Sequence, residues 1–329
     1  MTMIRSLLAR VYGAVVKRRN KRYDDRRTPI VTVDVPVVSV GNLTVGGTGK
    51  TPVVQMLVRW LQQQGYQPGV VLRGYRRRSR GLVVVHNGER LCATVDEAGD
   101  EAYLHATALG VPVVVCASKV DAAVHAAGML PCDVIVVDDG FQHRSLHRDV
   151  DIVLVDRATL QGKLLPEGRL REPLTNLRRA DVVLLTDATL TAADVQGYTT
   201  PEAVIDHVTT TSSSDLTGQR LIVMAGIANP KRLTATLQAG GATVLEEIFF
   251  SDHFRYSQRD VAGVITVAVT HAAGVCTTEK DYVKLGPYVH LFEAAGVAVH
   301  VVQIEAHVSD RTQQHILDLI AGATDEDCH

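Results

Sequence analysis

VPVVSVGNLTVGGTGKTPVVQMLVRWLQQQG, residues 35–65, is the stretch that decides the fold. Its first six residues, 35–40, are rich in valine, which predicts a short buried strand. Three glycines then loosen the backbone, and from Pro52 onward apolar residues recur at helical spacing until Gly65. The stretch therefore predicts a strand, a glycine-rich loop and an amphipathic helix, in that order.

The loop between this strand and this helix has the chemistry of a phosphate-binding site. Glycines let successive backbone N–H groups point inward, and the helix N-terminus adds the positive end of its dipole. Lys50 would reach the β- and γ-phosphates, and the Thr51 hydroxyl would hold Mg²⁺. The pattern G-x-x-x-x-G-K-S/T requires glycine where this chain has Thr44, so an ordinary turn with a chance Gly-Lys-Thr is the alternative. The predicted nucleotide-binding residues are Thr44, Val45, Gly46, Gly47, Thr48, Gly49, Lys50 and Thr51.

Asp138 and Asp139 end another apolar run, in PCDVIVVDDGFQHRSL, residues 131–146. A carboxylate at the end of a strand beside a phosphate-binding loop is typical of the Mg²⁺ site of nucleotide-hydrolysing proteins. The alternative is that the two aspartates cap the following turn. With the glycine loop upstream, the metal-binding interpretation is favoured.

The composition is that of a protein with a substantial core. The chain has 329 residues, of which 46% are hydrophobic and 21% charged, and its formal charge is −2. That charge gives no indication of a nucleic-acid partner. The five cysteines are scattered without a C-x-x-C pattern, which fits a reducing compartment and argues against a zinc site.

Residues 1–27 differ in charge from the rest of the chain. They contain nine Lys and Arg against two Asp, and apolar residues recur among them at helical spacing from Ile4 to Val16. This pattern predicts a basic amphipathic helix that lies in a membrane interface. The alternative is a helix packed on its own domain. Arg10 interrupts the apolar stretch, so it is not a signal peptide, and no run of 18 apolar residues occurs in the sequence.

Strand-like and helix-like patterns alternate after the glycine loop. Up to about residue 188 they predict an α/β fold with a doubly wound parallel sheet of the P-loop NTPase type. Residues 189–218 are rich in Thr, Ser and Ala and are predicted to be a linker with some strand around 203–210. A smaller α/β domain is predicted over 219–329. The predicted division is therefore 1–27, 28–188, 189–218 and 219–329.

Several motifs show that the chain resembles the tetraacyldisaccharide 4'-kinase family of lipid A biosynthesis, over nearly its whole length. The motifs are VGNLTVGGTGKTP (40–52), RGY (73–75), GDE (99–101), VVDDGFQHR (136–144), PEGRLREP (166–173), AGIANP (225–230), SDHFRY (251–256) and TTEKD (277–281). In that family threonine at position 44 is usual. The resemblance thus removes the objection to nucleotide binding.

The resemblance implies transfer of phosphate from ATP, with Mg²⁺, to the 4'-hydroxyl of an acylated glucosamine disaccharide 1-phosphate, which gives lipid IVA. It implies a peripheral, monomeric enzyme on the cytoplasmic face of the inner membrane, held there by the N-terminal helix, with no nucleic-acid partner. The catalytic residues that it implies are Asp100 as base, His253, Lys50 and Arg171. Thr51, Asp138 and Asp139 would hold the metal, and the substrate-binding residues would be Arg73, Glu101, Lys119, His143 and Glu172.

The chain departs from the family pattern at four positions. Phe254 replaces a second histidine beside His253, and Ala102 replaces a proline after the GDE motif. Lys119 stands where the family has arginine, which keeps the charge but loses the bidentate fork. Arg169 stands where the family often has a small or apolar residue.

Two other functions share this type of fold. SKVD, residues 118–121, faintly resembles the guanine-reading N/T-K-x-D motif of P-loop GTPases, but it precedes the DDG strand, whereas a GTPase places it afterwards. A membrane-bound partitioning-type ATPase is the second alternative. ATP turnover without a lipid acceptor would favour it.

Overall fold

The computed structural model describes residues 2–212, 215–227 and 230–326, so part of the AGIANP motif (228–229) and Cys328 lie outside it. Within these residues the larger unit is built on an eight-stranded sheet in the order β3-β4-β2-β5-β1-β6-β7-β8, parallel except for β3. The central strands are buried on both faces, as a parallel sheet requires. The strands are β1 Val37–Asn42, β2 Pro68–Leu72, β3 Val83–His86, β4 Val113–Val115, β5 Val134–Asp138, β6 Val150–Val155, β7 Val182–Leu185 and β8 Val204–His207.

Helices connect these strands and cover both faces of the sheet. The apolar stripe of the helix after the glycine loop, including Val54, Leu57 and Leu61, packs into the core beneath β1. A separate cluster covers the opposite face around Val137 and Ile135. The helices are α1 Thr2–Asp24, α2 Lys50–Gln63, α3 Val95–Ala98, α4 Asp100–Leu109, α5 Lys119–Met129, α6 Arg157–Leu160 and α7 Ala192–Val195.

The smaller unit is a second parallel sheet of four strands in the order β11-β10-β12-β13. Its core lies around Ile222, Met224 and Phe292. Its strands are β10 Arg220–Ala225, β11 Thr243–Phe249, β12 Gly274–Thr278 and β13 Val299–Val302, and its helices are α8 Pro230–Ala239, α9 Gln258–Thr270, α10 Glu279–Leu285 and α11 Val289–Ala294.

The end of the chain returns from the smaller unit to the larger one. β9 (Thr209–Ser212) and β14 (Ile304–His307) form a two-stranded antiparallel sheet. The last helix, α12 (Asp310–Glu326), then buries Ile316 and Ile320 in the core of the eight-stranded sheet. The two units are therefore joined by two strands and by a helix that crosses back.

The expected fold is confirmed: a doubly wound, P-loop NTPase-like parallel sheet, a second smaller α/β unit and an N-terminal helix. The domain boundaries remain a prediction. Strand is present where it was expected within the linker, around 203–210: β8 is the edge strand of the larger sheet, and β9 follows it. α12, predicted to belong to the smaller domain, packs on the larger unit.

The helix α1 lies along the larger unit and has two different faces. Ala9 and Val16 are buried, whereas Ile4, Leu7, Leu8, Val11 and Val15 are exposed. No helix in the described part of the chain is both long and apolar enough to span a bilayer.

Candidate active site

The glycine loop runs from the end of β1 to the start of α2. Gly49 precedes Lys50, the first residue of α2, and has φ 86°, a left-handed conformation that glycine adopts without steric cost. The other end of the loop is fixed by the segment 163–173: Thr44 pairs with Leu170, and the Val45 N–H donates to the Arg169 carbonyl at 2.9 Å. The loop is therefore held open at the sheet edge, with the N-terminus of α2 facing it.

Lys50 is held by polar groups at the carboxyl end of the sheet. Its Nζ donates to Asn42 Oδ1 at 3.2 Å and lies 3.6 Å from Asp139 Oδ1. Arg171 donates two bonds to the Asp139 carboxylate, each 2.7 Å long, and a third to Asn42 Oδ1 at 2.5 Å. Burial raises the pKa of Asp139, but these two cations outweigh it and hold that pKa well below the ordinary range. The site thus concentrates charge of both signs where phosphates would bind.

Asp138 is the last residue of β5 and is buried. Its Oδ2 lies 3.3 Å from Nε2 of the buried His105, whereas its Oδ1 is buried without a hydrogen-bond partner. Burial acts to raise the pKa of Asp138, but the bond to His105 and the charge of Lys50 lower it overall. A buried, ionised carboxylate oxygen without a partner is suited to a cation.

A magnesium ion fits this corner of the site. Asp138, Asp139 and Thr51 supply the oxygen ligands that Mg²⁺ prefers, and Mg²⁺ ordinarily takes its other ligands from phosphate and water. The described part of the chain has no group of three or more His, Cys, Asp or Glu side chains arranged as a metal site. The residues therefore suit an ion that arrives with a nucleotide better than a resident metal.

Lys119, which the sequence analysis predicts to bind substrate, lies behind the turn at Asp138 and Asp139. Its side chain is only 2% exposed, and its Nζ donates to the backbone carbonyls of Asp138, at 2.7 Å, and of Asp139. Burial lowers the pKa of Lys119 to about 8. Asp139 has φ 57°, a left-handed conformation that is uncommon outside glycine. Lys119 therefore supports this turn from behind and presents no charge to a bound substrate.

Glu172 is also buried. The sequence analysis places it among the substrate-binding residues, but it is 1% exposed. Its Oε2 accepts from Asn176 at 2.9 Å and from Arg179, and its Oε1 lies 3.4 Å from Arg19 of α1. Tyr12, also on α1, donates to the Arg171 carbonyl at 2.9 Å. Glu172 thus anchors α1 and the 163–173 segment beside the glycine loop.

The remaining predicted substrate-binding residues lie near the same edge of the sheet. His143 is partly buried, and burial together with the positive charge of Lys119 lowers its pKa to about 4, so its ring is neutral near pH 7. Arg73 is exposed at the end of β2. Both remain predictions, as no substrate contact tests them.

Asp100 and His253 are brought together from the two units. Asp100 begins α4, and Gly99 before it has φ 86°; a Cβ there would lie 2.9 Å from the Tyr75 carbonyl oxygen. His253, in the loop after β11, places Nδ1 3.1 Å from Asp100 Oδ2. His253 has φ 59°, and its ring packs edge-on against Tyr75 with ring centroids 5.1 Å apart. A carboxylate–imidazole pair thus forms across the boundary between the units, and backbone strain at such a pair is typical of functional sites.

Glu101, which is predicted to bind substrate, also faces the smaller unit. Its Oε1 lies 3.3 Å from Nζ of Lys280, on α10. A second lysine of that helix, Lys284, lies 3.8 Å from Asp100 Oδ2. The predicted catalytic and substrate-binding carboxylates of α4 are therefore both adjacent to cations of the smaller unit.

A cavity of about 520 Å³ opens beside the glycine loop, on the side away from Asp138. It lies at the carboxyl ends of β7 and β8, and one helix of the smaller unit closes it. Its lining residues are Thr48, Gly49, Thr186, Ala188, His207, Val208, Thr209, Thr210 and Arg232. The cavity is continuous with the loop and is mainly apolar with a few polar groups, which is typical of a small-molecule site.

Sequence reasoning missed several residues of this region. Asn42 accepts hydrogen bonds from both Lys50 and Arg171. In the sequence it could have been noticed as an amide side chain at the end of an apolar strand. His105 has only the weak signal of one histidine within a helix. The spacing of Lys280 and Lys284 predicts that they lie on one face of a helix, but not which residues they contact.

Comparisons with known proteins agree on one family. The family model described as Tetraacyldisaccharide-1-P 4'-kinase matches residues 1–321. The chain is 38% identical to the tetraacyldisaccharide 4'-kinase of Syntrophotalea carbinolica over 84% of this chain and 81% of that one. It is 37% identical to that of Geobacter sulfurreducens, over 85% and 83%. The crystal structure of LpxK from Aquifex aeolicus in complex with ATP superposes with a TM-score of 0.79 at 30% identity, over 95% of this chain and 96% of that one.

Proposed function

The chain belongs to the tetraacyldisaccharide-1-P 4'-kinase family, and from the geometry of its site we propose which residues carry out the transfer. It is an ATP-dependent kinase of lipid A biosynthesis, whose acceptor is the 4'-hydroxyl of a tetraacylated disaccharide 1-phosphate. The observation that carries the assignment of roles is the 3.1 Å contact between Asp100 and His253, because it puts a candidate base at the boundary of the two units.

The phosphates of ATP bind, in this proposal, at the glycine loop and the N-terminus of α2. Lys50 exchanges its contacts with Asn42 and Asp139 for phosphate oxygens. Arg171, already fixed by Asp139, adds positive charge beside the transferred group. Both cations stabilise the charge that the γ-phosphate carries as it is transferred. Thr51, Asp138 and Asp139 would hold Mg²⁺, which neutralises charge on the phosphates when it is bound.

Asp100 is the general base. As the 4'-oxygen bonds to the γ-phosphorus, its O–H bond breaks and the proton passes to the Asp100 carboxylate; the bond to the bridging oxygen breaks and ADP leaves. Burial is the largest effect on the pKa of Asp100 and raises it, but the bond from His253 and the charges of Lys284 and Lys280 lower it overall. The carboxylate is therefore ionised near pH 7 and able to accept a proton.

The purine of ATP occupies the 520 Å³ cavity beside Thr48 and Gly49. A nucleotide whose phosphates lie at the loop projects its base along the carboxyl ends of β7 and β8. Thr186 and His207 offer polar contacts there, and Arg232 contributes one from the smaller unit. Binding of ATP would then involve both units.

The GTPase alternative is not favoured. Its only motif, SKVD, places Lys119 as a buried support of the Asp138–Asp139 turn, far from the cavity that suits a base. The partitioning ATPase alternative predicts turnover without an acceptor. It offers no role for a carboxylate–imidazole pair between the two units.

The finer location, the cytoplasmic face of a bacterial inner membrane, is also part of this proposal. Six large apolar side chains of α1 are exposed: Met3, Ile4, Leu7, Leu8, Val11 and Val15. The helix also contacts the site through Tyr12 and Arg19. A helix that binds an interface and contacts the active site would hold the cleft next to a lipid acceptor.

The membrane proposal is tested by replacing Leu7 and Val11 with aspartate and measuring co-sedimentation with vesicles that contain an anionic lipid such as phosphatidylglycerol. Each buried methylene contributes about 0.8 kcal/mol, so binding should weaken at least about tenfold. Val269→Asp is the matched control, because Val269 is 55% exposed and Val11 56%. Unchanged sedimentation of the α1 variant would contradict an interfacial role.

The activity is tested by transfer of labelled γ-phosphate from ATP to a tetraacylated disaccharide 1-phosphate in detergent micelles. We expect a labelled lipid 1,4'-bisphosphate whose formation requires the acceptor, Mg²⁺ and ATP, with GTP a poor donor. Phosphate release that is independent of the lipid would instead support the partitioning ATPase.

A further inference from the structure

Two lysines of the smaller unit meet the Asp100–His253 pair from opposite ends. Lys280 and Lys284 are four residues apart on α10, so they project from the same face of that helix. This face packs against α4, which begins with Asp100. Lys280 reaches the histidine and Lys284 the carboxylate.

Lys280 fixes which nitrogen of the His253 ring accepts a hydrogen bond. Its Nζ lies 3.1 Å from His253 Nε2. An ammonium group has only donors, so Nε2 must be the acceptor, and the ring proton is then on Nδ1. Nδ1–H donates to Asp100 Oδ2 at 3.1 Å. With its one lone pair engaged, His253 cannot take the hydroxyl proton, and Asp100 is left as the base.

Lys284 is a fixed cation beside Asp100. Its Nζ is 2.7 Å from Asp281 Oδ1 and 3.8 Å from Asp100 Oδ2, and its side chain is buried. Asp281 is fully buried and accepts from the Gly226 N–H at 3.0 Å and from the Tyr256 hydroxyl at 2.9 Å. Because Asp281 is held on several sides, Lys284 is held as well.

The pair is surrounded by charge from every element that packs on it. α4 contributes Glu101; the loop after β11 contributes Asp252, whose Oδ2 lies 3.8 Å from His253 Nε2; and the loop after β2 contributes Arg76, which donates to the Asp252 carbonyl at 2.9 Å. Lys280, Lys284 and Asp281 of α10 also face the pair. The Tyr256 hydroxyl lies beside them and donates to Asp281. Among these, the two lysines are the cations nearest to the reacting carboxylate and its histidine.

We propose that Lys280 and Lys284 are positioning residues for phosphoryl transfer, one fixing the His253 ring and the other the Asp100 carboxylate. The inference rests on the proposed role of Asp100 as base. It deepens that role, because the base is complete only where α10 of the smaller unit packs on α4 of the larger one.

Single variants separate this role from a merely structural one. Lys280→Met and Lys284→Met should each lower kcat at pH 7 by roughly tenfold to a hundredfold, since misplacing a general base forfeits part of its contribution. The KM for ATP should stay within about twofold, because the nucleotide site lies elsewhere. Lys280→Arg should restore part of kcat. Lys231→Met, at an exposed lysine of α8, is the control and should have the kcat of the unaltered enzyme.

The pH profile gives the second readout. Asp100 must be ionised to accept a proton, so turnover is lost as the pH falls through its pKa. Removing a nearby cation raises that pKa. The acid limb of kcat should therefore move to higher pH in Lys284→Met and stay in place in Lys231→Met. Lys284→Met alone leaves the buried Asp281 without its cation. If that variant fails to fold, the double variant Lys284→Met with Asp281→Asn, which removes both charges, replaces it in the measurement.

A double-variant cycle tests whether the lysines act through Asp100. Asp100→Asn alone should abolish most turnover, and adding Lys280→Met or Lys284→Met to it should cause no further loss. Full additivity, or lysine variants with unaltered kcat and pH profile, would overturn the inference while leaving Asp100 as base. Near-normal turnover in Asp100→Asn would instead overturn the proposed function of Asp100 itself.

Discussion

The phosphate end and the acceptor end of the site are built differently. Lys50, Asn42, Asp139 and Arg171 all belong to the larger unit and form a closed set of hydrogen bonds at one edge of its sheet. The Asp100–His253 pair exists only where the two units meet. The first is preorganised by one sheet, whereas the second depends on how two sheets are placed against each other.

This difference separates binding from chemistry. The groups proposed to bind the phosphates of a nucleotide are complete within the larger unit. The proposed general base, Asp100, takes its histidine and both neighbouring lysines from the other unit. The proposed base therefore depends on the packing of the two units, whereas the phosphate end does not.

The largest effect is expected at the phosphate end. Lys50→Ala removes the cation nearest to the loop, and charge clamps of this kind contribute on the order of 10³-fold or more to phosphoryl transfer. We expect kcat/KM to fall by about that factor in the transfer assay. Lys163→Ala, at an exposed lysine paired with Glu167, is the control and should retain activity. A Lys50→Ala enzyme with substantial activity would be incompatible with the assigned nucleotide site.

Asp100→Asn is the corresponding test at the acceptor end. We expect kcat to fall by about 10²–10⁴-fold, the usual contribution of a general base, with little change in the KM for ATP. The matched control is Asp96→Asn, because Asp96 also pairs with the smaller unit, through Arg255 at 3.4 Å, but its side chain is 46% exposed, against 17% for Asp100. If both variants lost activity equally, contact between the units would explain the result and the base assignment would fail.

The same difference explains what the sequence could predict. Residues 35–65 place a strand, a loop and a helix in continuous order, so Lys50 and Thr51 follow from local spacing. The doubly wound parallel sheet also follows, because strands that alternate with helices have few other arrangements. Asp138 and Asp139 follow for the same reason, since they end a strand beside the loop.

Contacts between distant segments were harder to predict. Lys119 and Glu172 have the charge and position of ligand-binding residues, yet they are buried as supports, because burial depends on what packs over them. Strand was predicted around 203–210, but its place as the edge strand of the larger sheet was not, because pairing with β7 depends on distant residues. Lys280 and Lys284 meet Asp100 and His253 only through the packing of α10 on α4, which no local pattern encodes.

The smallest expected effect concerns a residue of the smaller unit that lies beside the phosphate end. Arg232 of α8 lines the cavity beside Thr48 and Gly49. Arg232→Ala should raise the KM for ATP about tenfold, since a hydrogen bond from a charged group contributes about 1.5–3 kcal/mol, and should leave kcat nearly unchanged. Lys231→Ala, at the preceding exposed residue, is the control. An unchanged KM would confine nucleotide binding to the larger unit and sharpen the separation between the two ends, whereas a fall in kcat would show that Arg232 also takes part in assembling the base.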